Sequence, residues 1–410
     1  MRVAFVSTSS PVYPSALGRW LPLARELARR GHEVHFVTLH HDFRPGQEKP
    51  RPEEGVWLHT VAQMHVRGWG DERRPLSGLA LLRTALAGTV ALWRRAREVR
   101  ADVYHICKPQ PMNGLAGYLV AQERRCPWYL DCDDYEAQAN RFTGRWQRAV
   151  VRLFEDALPR QADAVTVNTR FLAARVQRFG VAPERVVYVP NGVERSRFAG
   201  LDPGVGSRLR ARLGLEGKPT VLYLGTLSLA SHPLFLLLEA FALLVRHMPE
   251  ARLVWLGGGE GRSRIERRVA EMGLGERVLF LGAVPPDQVP HHLLLADVTV
   301  DPVYDDDIAR ARSPLKLFES MACGIPVVTG DVGDRREILA DGAAGLLVRP
   351  ADAGALAEGM ALLLQDPVCR RQMADAARER VQAYMWDRLA EDFLRVYQLP
   401  TRPFRGLGRG

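Results

Sequence analysis

Apolar positions along the chain gather into short unbroken runs, and stretches of helical spacing separate most of the runs. Runs at 2–8, 34–39, 56–61, 103–107, 128–132, 164–168 and 186–190 predict strands. Helical spacing at 16–30, 78–100, 112–124, 145–158 and 171–178 predicts the elements between them, and Gly31 is a good residue to end the first. Strands that are apolar throughout predict a parallel sheet covered on both faces. The pattern pauses over 191–217, a polar stretch rich in glycine and arginine with no strand. It restarts with strands at 220–225, 253–257, 278–282, 298–303, 326–329 and 345–348, and with helices near 234–246, 264–272, 288–295, 315–322 and 353–364. Two helical stretches, 371–384 and 386–397, close the chain. The expected architecture is α/β with two doubly wound parallel-sheet domains, 1–192 and 219–385. A linker over 193–218 joins them, and a closing helix over 386–399 returns to the first. Ligands in such sheets bind beyond the carboxyl ends of the strands.

Composition narrows the class. With 410 residues, 47% hydrophobic and 25% charged, the chain suits two ordinary globular cores. The longest apolar stretch, 76–93, contains Arg83 and runs into Arg94 and Arg95, so it reads as an amphipathic helix and not a membrane span. The start passes from Met1 and Arg2 directly into a strand, which points to a cytoplasmic protein. Cys107, Cys126, Cys132, Cys323 and Cys369 are scattered, as expected of reduced thiols, and neither Cys nor His clusters at zinc-ligand spacing. Net charge is +9, and lysine stands only at Lys49, Lys108, Lys218 and Lys316, so arginine carries nearly all of the positive charge. A basic balance fits a nucleotide, an anionic lipid or nucleic acid, or simply a solvated arginine-rich surface. No nucleic-acid module accompanies it.

The segment with the most chemistry is 313–328, Ser-Pro-Leu-Lys-Leu-Phe-Glu-Ser-Met-Ala-Cys-Gly-Ile-Pro-Val-Val. Ser313 suits an N-cap and Pro314 the first helical position. The first amides, those of Leu315 and Lys316, together with the helix dipole and the Lys316 ammonium, make a place for an anion. Glu319 lies about one turn deeper on the same face, where a carboxylate can accept both hydroxyls of a ribose. A well-capped helix with a surface Lys–Glu pair is the alternative.

This segment, with Gly324 and Pro326, resembles the signature of the retaining glycosyltransferases of family 4, the group 1 glycosyltransferases. Four further stretches match in order. They are 188–193 (the domain junction), 279–285 (the base-binding loop), 341–350 (the late signature) and the helix that begins at Trp386. The resemblance implies a GT-B fold, with two Rossmann-like domains facing a central cleft. The second domain would bind a nucleotide-sugar and the first the acceptor, which in the family is often lipid-linked. The reaction would be a retaining transfer with no metal and no cofactor. Glu319 would hold the ribose, and the backbone at Gly282, Ala283 and Val284 the base. Gly225 would lie by the donor, and Gly18 would let the backbone approach the phosphates or the acceptor.

The departures concern the phosphates and the sugar. Ala311 stands where the family places an acid that contacts the donor sugar. Thr226 and His232 stand where it places an arginine and a lysine for the diphosphate. Asp133 stands where a histidine is frequent. Arg310, Arg312 and Lys316 are candidate replacements for the phosphate grip. In an extended loop Arg310 and Arg312 would point the same way, while ion pairs to Asp305–Asp307 are the plain alternative. Asp131-Cys-Asp133-Asp134 imitates a metal-binding DxD, but it sits in the other glycosyltransferase architecture. The preferred expectation is that Asp133 or Asp134 faces the acceptor hydroxyl or the donor sugar, and an acidic strand end with helix N-caps is the alternative. Gly257–Gly261 lacks dinucleotide spacing, so a dehydrogenase is not expected. An epimerase-like enzyme of the same fold, or a nucleotide binder without activity, remains a rival. Residues 73–100 and 141–160 mix apolar positions with arginines, as a peripheral membrane contact would require.

Overall fold

The computed structural model describes residues 1–402 other than Pro45, residues 69–73, Arg141, Thr143 and Pro203. Residue 73 of the first basic stretch and residues 141 and 143 of the second therefore lie outside the described residues. The chain forms two compact units. One runs to Asn191 and takes in the segment from Trp386; the other is Gly192–Met385.

The sheet of the first unit has eight strands. In spatial order they are Val186–Tyr188, Ala164–Val167, Trp128–Cys132, Val103–Cys107, Arg2–Val6, Glu33–His40, Val56–Gln63 and Arg51–Glu53. Every neighbouring pair is parallel except the last, which is antiparallel. The apolar runs are apolar because both faces are covered: Val3, Ala4, Phe5 and Val6 have no exposed surface. Trp386, Leu389, Ala390 and Phe393 follow helical spacing, and helix Trp386–Leu394 buries them against Trp20, Leu23 and Leu27. Helix Trp386–Leu394 is thus part of the first unit's core.

The second unit has six parallel strands, in the order Val278–Gly282, Arg252–Leu256, Thr220–Leu224, Val298–Asp301, Val327–Gly330 and Leu346–Val348. Helices Leu234–His247 and Ala353–Gln365 bury Leu237, Phe241, Leu356 and Met360 in one cluster. Helix Leu315–Cys323 buries Leu317, Phe318 and Met321 in another.

Several local expectations are corrected. The stretch 193–218 holds a helix, Gly204–Leu213, which packs Leu209 and Leu213 against Leu293 and Leu295. Gly206 allows this packing, since a Cβ there would lie 2.4 Å from the Leu294 carbonyl oxygen. Gly18 lies not in a loop but within the helical turn Ala16–Trp20, which leads into helix Leu21–Arg29. The helix after Ser313 starts one residue later than expected, with Pro314 as N-cap and Leu315 first.

Candidate functional site

In the second unit the chemistry collects at the carboxyl ends of the central strands. Asp301 is the last residue of Val298–Asp301 and nearly buried. Its Oδ1 lies 3.1 Å from Lys316 Nζ, and its Oδ2 lies 3.0 Å from an Arg335 guanidinium nitrogen. Burial alone would raise this carboxyl, but Lys316 and Arg335 hold it far below the carboxylate range. Burial pulls the Lys316 ammonium down from the usual lysine value, against the attraction of Asp301. Lys316 Nζ also sits 4.3 Å over the Tyr223 ring. Gly225 follows the adjacent strand with φ +147°, and a Cβ there would come within 3.3 Å of Lys316 Nζ. The backbone here is closely layered, because a Cβ on Gly257 would lie 2.0 Å from the Gly225 carbonyl oxygen. The result is a small shelf of backbone and cationic side chains beside the start of helix Leu315–Cys323, where the first amides have no intrahelical acceptor.

One turn into that helix, Glu319 meets Arg197 at 3.1 Å, and the same guanidinium group donates to the Pro286 carbonyl oxygen at 2.8 Å. Burial raises the Glu319 carboxyl, and Arg197 works against the rise. Arg197 therefore joins Glu319 to the loop after strand Val278–Gly282, which carries Gly282, Ala283 and Val284. Gly282 has φ +75° and accepts a hydrogen bond from the Gly257 amide at 2.9 Å.

The two candidate arginines separate. Asp307–Arg310 is a single helical turn and not an extended loop, so Arg310 and Arg312 do not point together. Arg310 pairs with Asp305 at 2.8 Å in an exposed position. Arg312 instead donates to the Ser231 carbonyl oxygen at 2.6 Å and lies 3.2 Å from His232 Nδ1. Buried Ala311 supplies no polar group of its own. Asp301, Arg335 and Arg197 were missed in the sequence. The expected strand 298–303 holds Asp301 within it, and only the observed end of the strand at Asp301 turns the carboxylate toward Lys316 and Arg335.

In the first unit the DxD-like stretch divides into two networks. Asp131 is fully used: Arg19 donates to both oxygens at 2.7 Å, Trp20 Nε1 to Oδ2 at 2.7 Å and Thr166 to Oδ1 at 2.5 Å. Asp133 lies 3.2 Å from Lys108 Nζ, and that ammonium is held more closely by Glu136 at 2.5 Å. Gln110 and Asn140 donate to the other Glu136 oxygen at 2.6 and 2.9 Å. Burial pushes the Asp133 carboxyl up, Lys108 opposes this, and Asp131 adds to it. These groups lie at the carboxyl ends of strands Val103–Cys107 and Trp128–Cys132. A pocket of about 650 Å³ that touches Trp128, Asp163 and Arg185 opens at the amino ends, away from this chemistry.

Comparison with known proteins decides the family. The family model "Glycosyl transferases group 1" matches residues 207–380, and "Glycosyl transferase 4-like domain" matches residues 19–192. A D-inositol 3-phosphate glycosyltransferase of Nocardia farcinica is 31% identical over 404 residues, covering 95% of this chain and 86% of that protein. The chain belongs to the group 1 glycosyltransferases. A GDP-mannose-dependent phosphatidylinositol monomannoside mannosyltransferase of Mycolicibacterium smegmatis is 31% identical to this glycosyltransferase over 53% of the chain and 57% of its own length. Among solved structures, sucrose-phosphate synthase of Thermosynechococcus elongatus matches with a TM-score of 0.76 at 23% identity, over 97% of this chain and 98% of that one. The lipopolysaccharide glycosyltransferase WaaG matches at 0.72 and 18%, over 97% and 99%. The fold of this glycosyltransferase is therefore GT-B.

Proposed function

We propose that this glycosyltransferase moves a sugar from a nucleotide-sugar to a hydroxylated acceptor, with retention of anomeric configuration and without a metal ion or cofactor. The observation that carries the donor half is the Asp301–Lys316–Arg335 cluster beside a helix start, with Glu319 one turn deeper. In this reading the diphosphate lies against the first amides of Leu315 and Lys316. Lys316 and Arg312 supply charge, Ser313 and Gly225 shape the approach, Glu319 takes the ribose, and Gly282, Ala283 and Val284 meet the base. Negative charge grows on the diphosphate as the glycosidic bond breaks, and fixed donors stabilise it without reorganising. The leaving phosphate then takes the acceptor's proton on the same face.

The acceptor half rests on the first unit. Asp133, with its carboxyl raised, hydrogen-bonds the acceptor hydroxyl or the transferred sugar, and Gly18 lies in the turn beside Arg19 and Trp20. The relatives' names suggest an inositol phosphate or a lipid built on one as the first acceptors to test. The basic, partly apolar helices of this unit support peripheral contact with an anionic membrane. Calorimetric titration with UDP-glucose, GDP-mannose and ADP-glucose, followed by mass spectrometry of products formed with inositol phosphate or phosphatidylinositol, tests both halves. Binding of none of the three donors overturns the reading.

A further inference from the structure

His232 sits on a short loop tied down at both ends: its amide donates to the Ser228 carbonyl oxygen at 3.0 Å, and its own carbonyl accepts from the Leu234 amide at 2.9 Å. The residue is partly buried, and its ring stands edge-on to Tyr223, with centroids 6.5 Å apart. The Arg312 guanidinium nitrogen that donates to the Ser231 carbonyl oxygen lies 3.2 Å from His232 Nδ1. A guanidinium group stays protonated and offers only donors. Nδ1 must therefore present its lone pair, and the single proton of the neutral ring sits on Nε2. Nε2 has no hydrogen-bond partner among the described residues. The largest charges acting on the ring are those of Lys316, Arg312 and Arg335, with Asp301 opposing them. Three cations and one carboxylate leave this end of the shelf positive, so an anion is favoured and a second proton on the imidazole is not. Burial, then Lys316 and Arg312, hold the imidazole well below its ordinary value, with Asp301 opposing.

We propose that His232 is a neutral hydrogen-bond donor to the diphosphate of the nucleotide-sugar, with its proton fixed on Nε2, and that Arg312 is the positioning residue that fixes it. This rests on the donor reading above and adds a residue to it. A neutral donor beside Lys316 contributes a directed bond to the phosphate without a further charge to desolvate. Its contribution goes to holding the ground state as much as the transition state, so it is expected in the dissociation constant more than in turnover.

The test begins on the unaltered protein. Nitrogen and carbon NMR of histidine-labelled enzyme reads the tautomer directly, and the expected result is Nε2–H for His232 across the enzyme's working pH. In Arg312→Met the ring should become a mixture of tautomers. Calorimetry with UDP-glucose, GDP-mannose and ADP-glucose then compares two amides. His232→Gln carries an NH2 near the Nε2 position and should bind close to wild type. His232→Asn carries it near Nδ1 and should bind about tenfold more weakly, the scale of one hydrogen bond to a charged group. An Nδ1–H tautomer in the wild type overturns the proposal, and so does His232→Asn binding as tightly as wild type. Wild-type protein that binds none of the three donors instead sinks the underlying donor reading.

Discussion

Asp301 and Lys316 form a nearly buried ion pair at 3.1 Å, and the same carboxylate carries Arg335 on its other oxygen. Removing the charge from Asp301 leaves two cations without their common partner. Asp301→Asn is expected to cost about 3–5 kcal/mol, the scale for breaking a buried pair. The sign of the pH effect follows from the depressed carboxyl. The stability it contributes is fully present above the ordinary aspartate pKa of about 3.9 and is lost as pH falls toward the folded-state value. Urea unfolding at neutral pH and near pH 3 should show the difference between wild type and Asp301→Asn shrinking in acid. A difference that stays constant counts against Asp301 as the organising charge.

Glu319 is paired with Arg197, so its proposed role has a built-in control. Glu319→Gln keeps the shape but weakens the acceptor, and it should reduce nucleotide-sugar affinity by about 1.5–3 kcal/mol. The loss should be seen by calorimetry in a protein whose circular dichroism is unchanged. Equal affinity in a folded Glu319→Gln protein removes the ribose assignment.

Activity is expected to survive EDTA. Asp131, the first acid of the DxD-like stretch, already accepts four hydrogen bonds from Arg19, Trp20 and Thr166 and has no oxygen to spare for a cation. Asp133 faces the Lys108 ammonium, which also disfavours a cation. Loss of turnover on chelation, restored by Mn²⁺ or Mg²⁺, would move Asp131 and Asp133 to a metal site.

Much of the fold could be read from the sequence, because strands buried on both faces announce themselves as unbroken apolar runs, as Val3–Val6 does. Helix Gly204–Leu213 was hidden because its two glycines and three arginines mask a spacing of Val205, Leu209 and Leu213. The site was legible only where it is local. Lys316 and Glu319 share one helix face, so their relation follows from helical geometry. Asp301 and Arg335 lie far apart in the chain and meet only because parallel strands bring their carboxyl ends together. Arg310 and Arg312 show the reverse error. Their spacing aligns them only on an extended backbone, and a single helical turn ending at Arg310 sends the two side chains to different partners.

That difference predicts a split between neighbours. Arg310 is exposed and held by Asp305, an arrangement that contributes little at a solvated surface. Arg310→Ala should leave turnover near wild type. Arg312→Ala and Lys316→Ala should each lower it by roughly tenfold or more, since they remove charge that acts as the leaving group forms. Steady-state assays under saturating donor check this, and equal effects at all three positions would return Arg310 to the phosphate site.

The last prediction concerns the surface of the first unit. Leu79, Leu82, Leu86 and Val90 form an exposed stripe on helix Gly78–Val99, and Trp146, Val150 and Leu153 form another on helix Arg145–Gln161. Leu115 and Leu119, on helix Pro111–Arg124, are exposed as well. Large apolar side chains at helical spacing are not left in water by chance in such number. Arg83 and Arg94 accompany the first stripe, and Arg145, Arg148 and Arg152 the second, so the charge beside the apolar surface is positive. Among the described residues no helix is long and apolar enough to cross a membrane. An amphipathic basic surface instead suits the interface of an anionic bilayer, where each arginine near the headgroups adds about 1 kcal/mol and salt screens the attraction. The protein should float with vesicles that contain phosphatidylglycerol at low salt and should be released as salt rises. It should not float with neutral phosphatidylcholine vesicles. Trp146→Ser combined with Leu153→Ser should weaken flotation without changing the fold or donor binding. Should the protein form dimers in solution that this double variant disrupts, with no flotation under any condition, the stripes serve contact between copies of the chain.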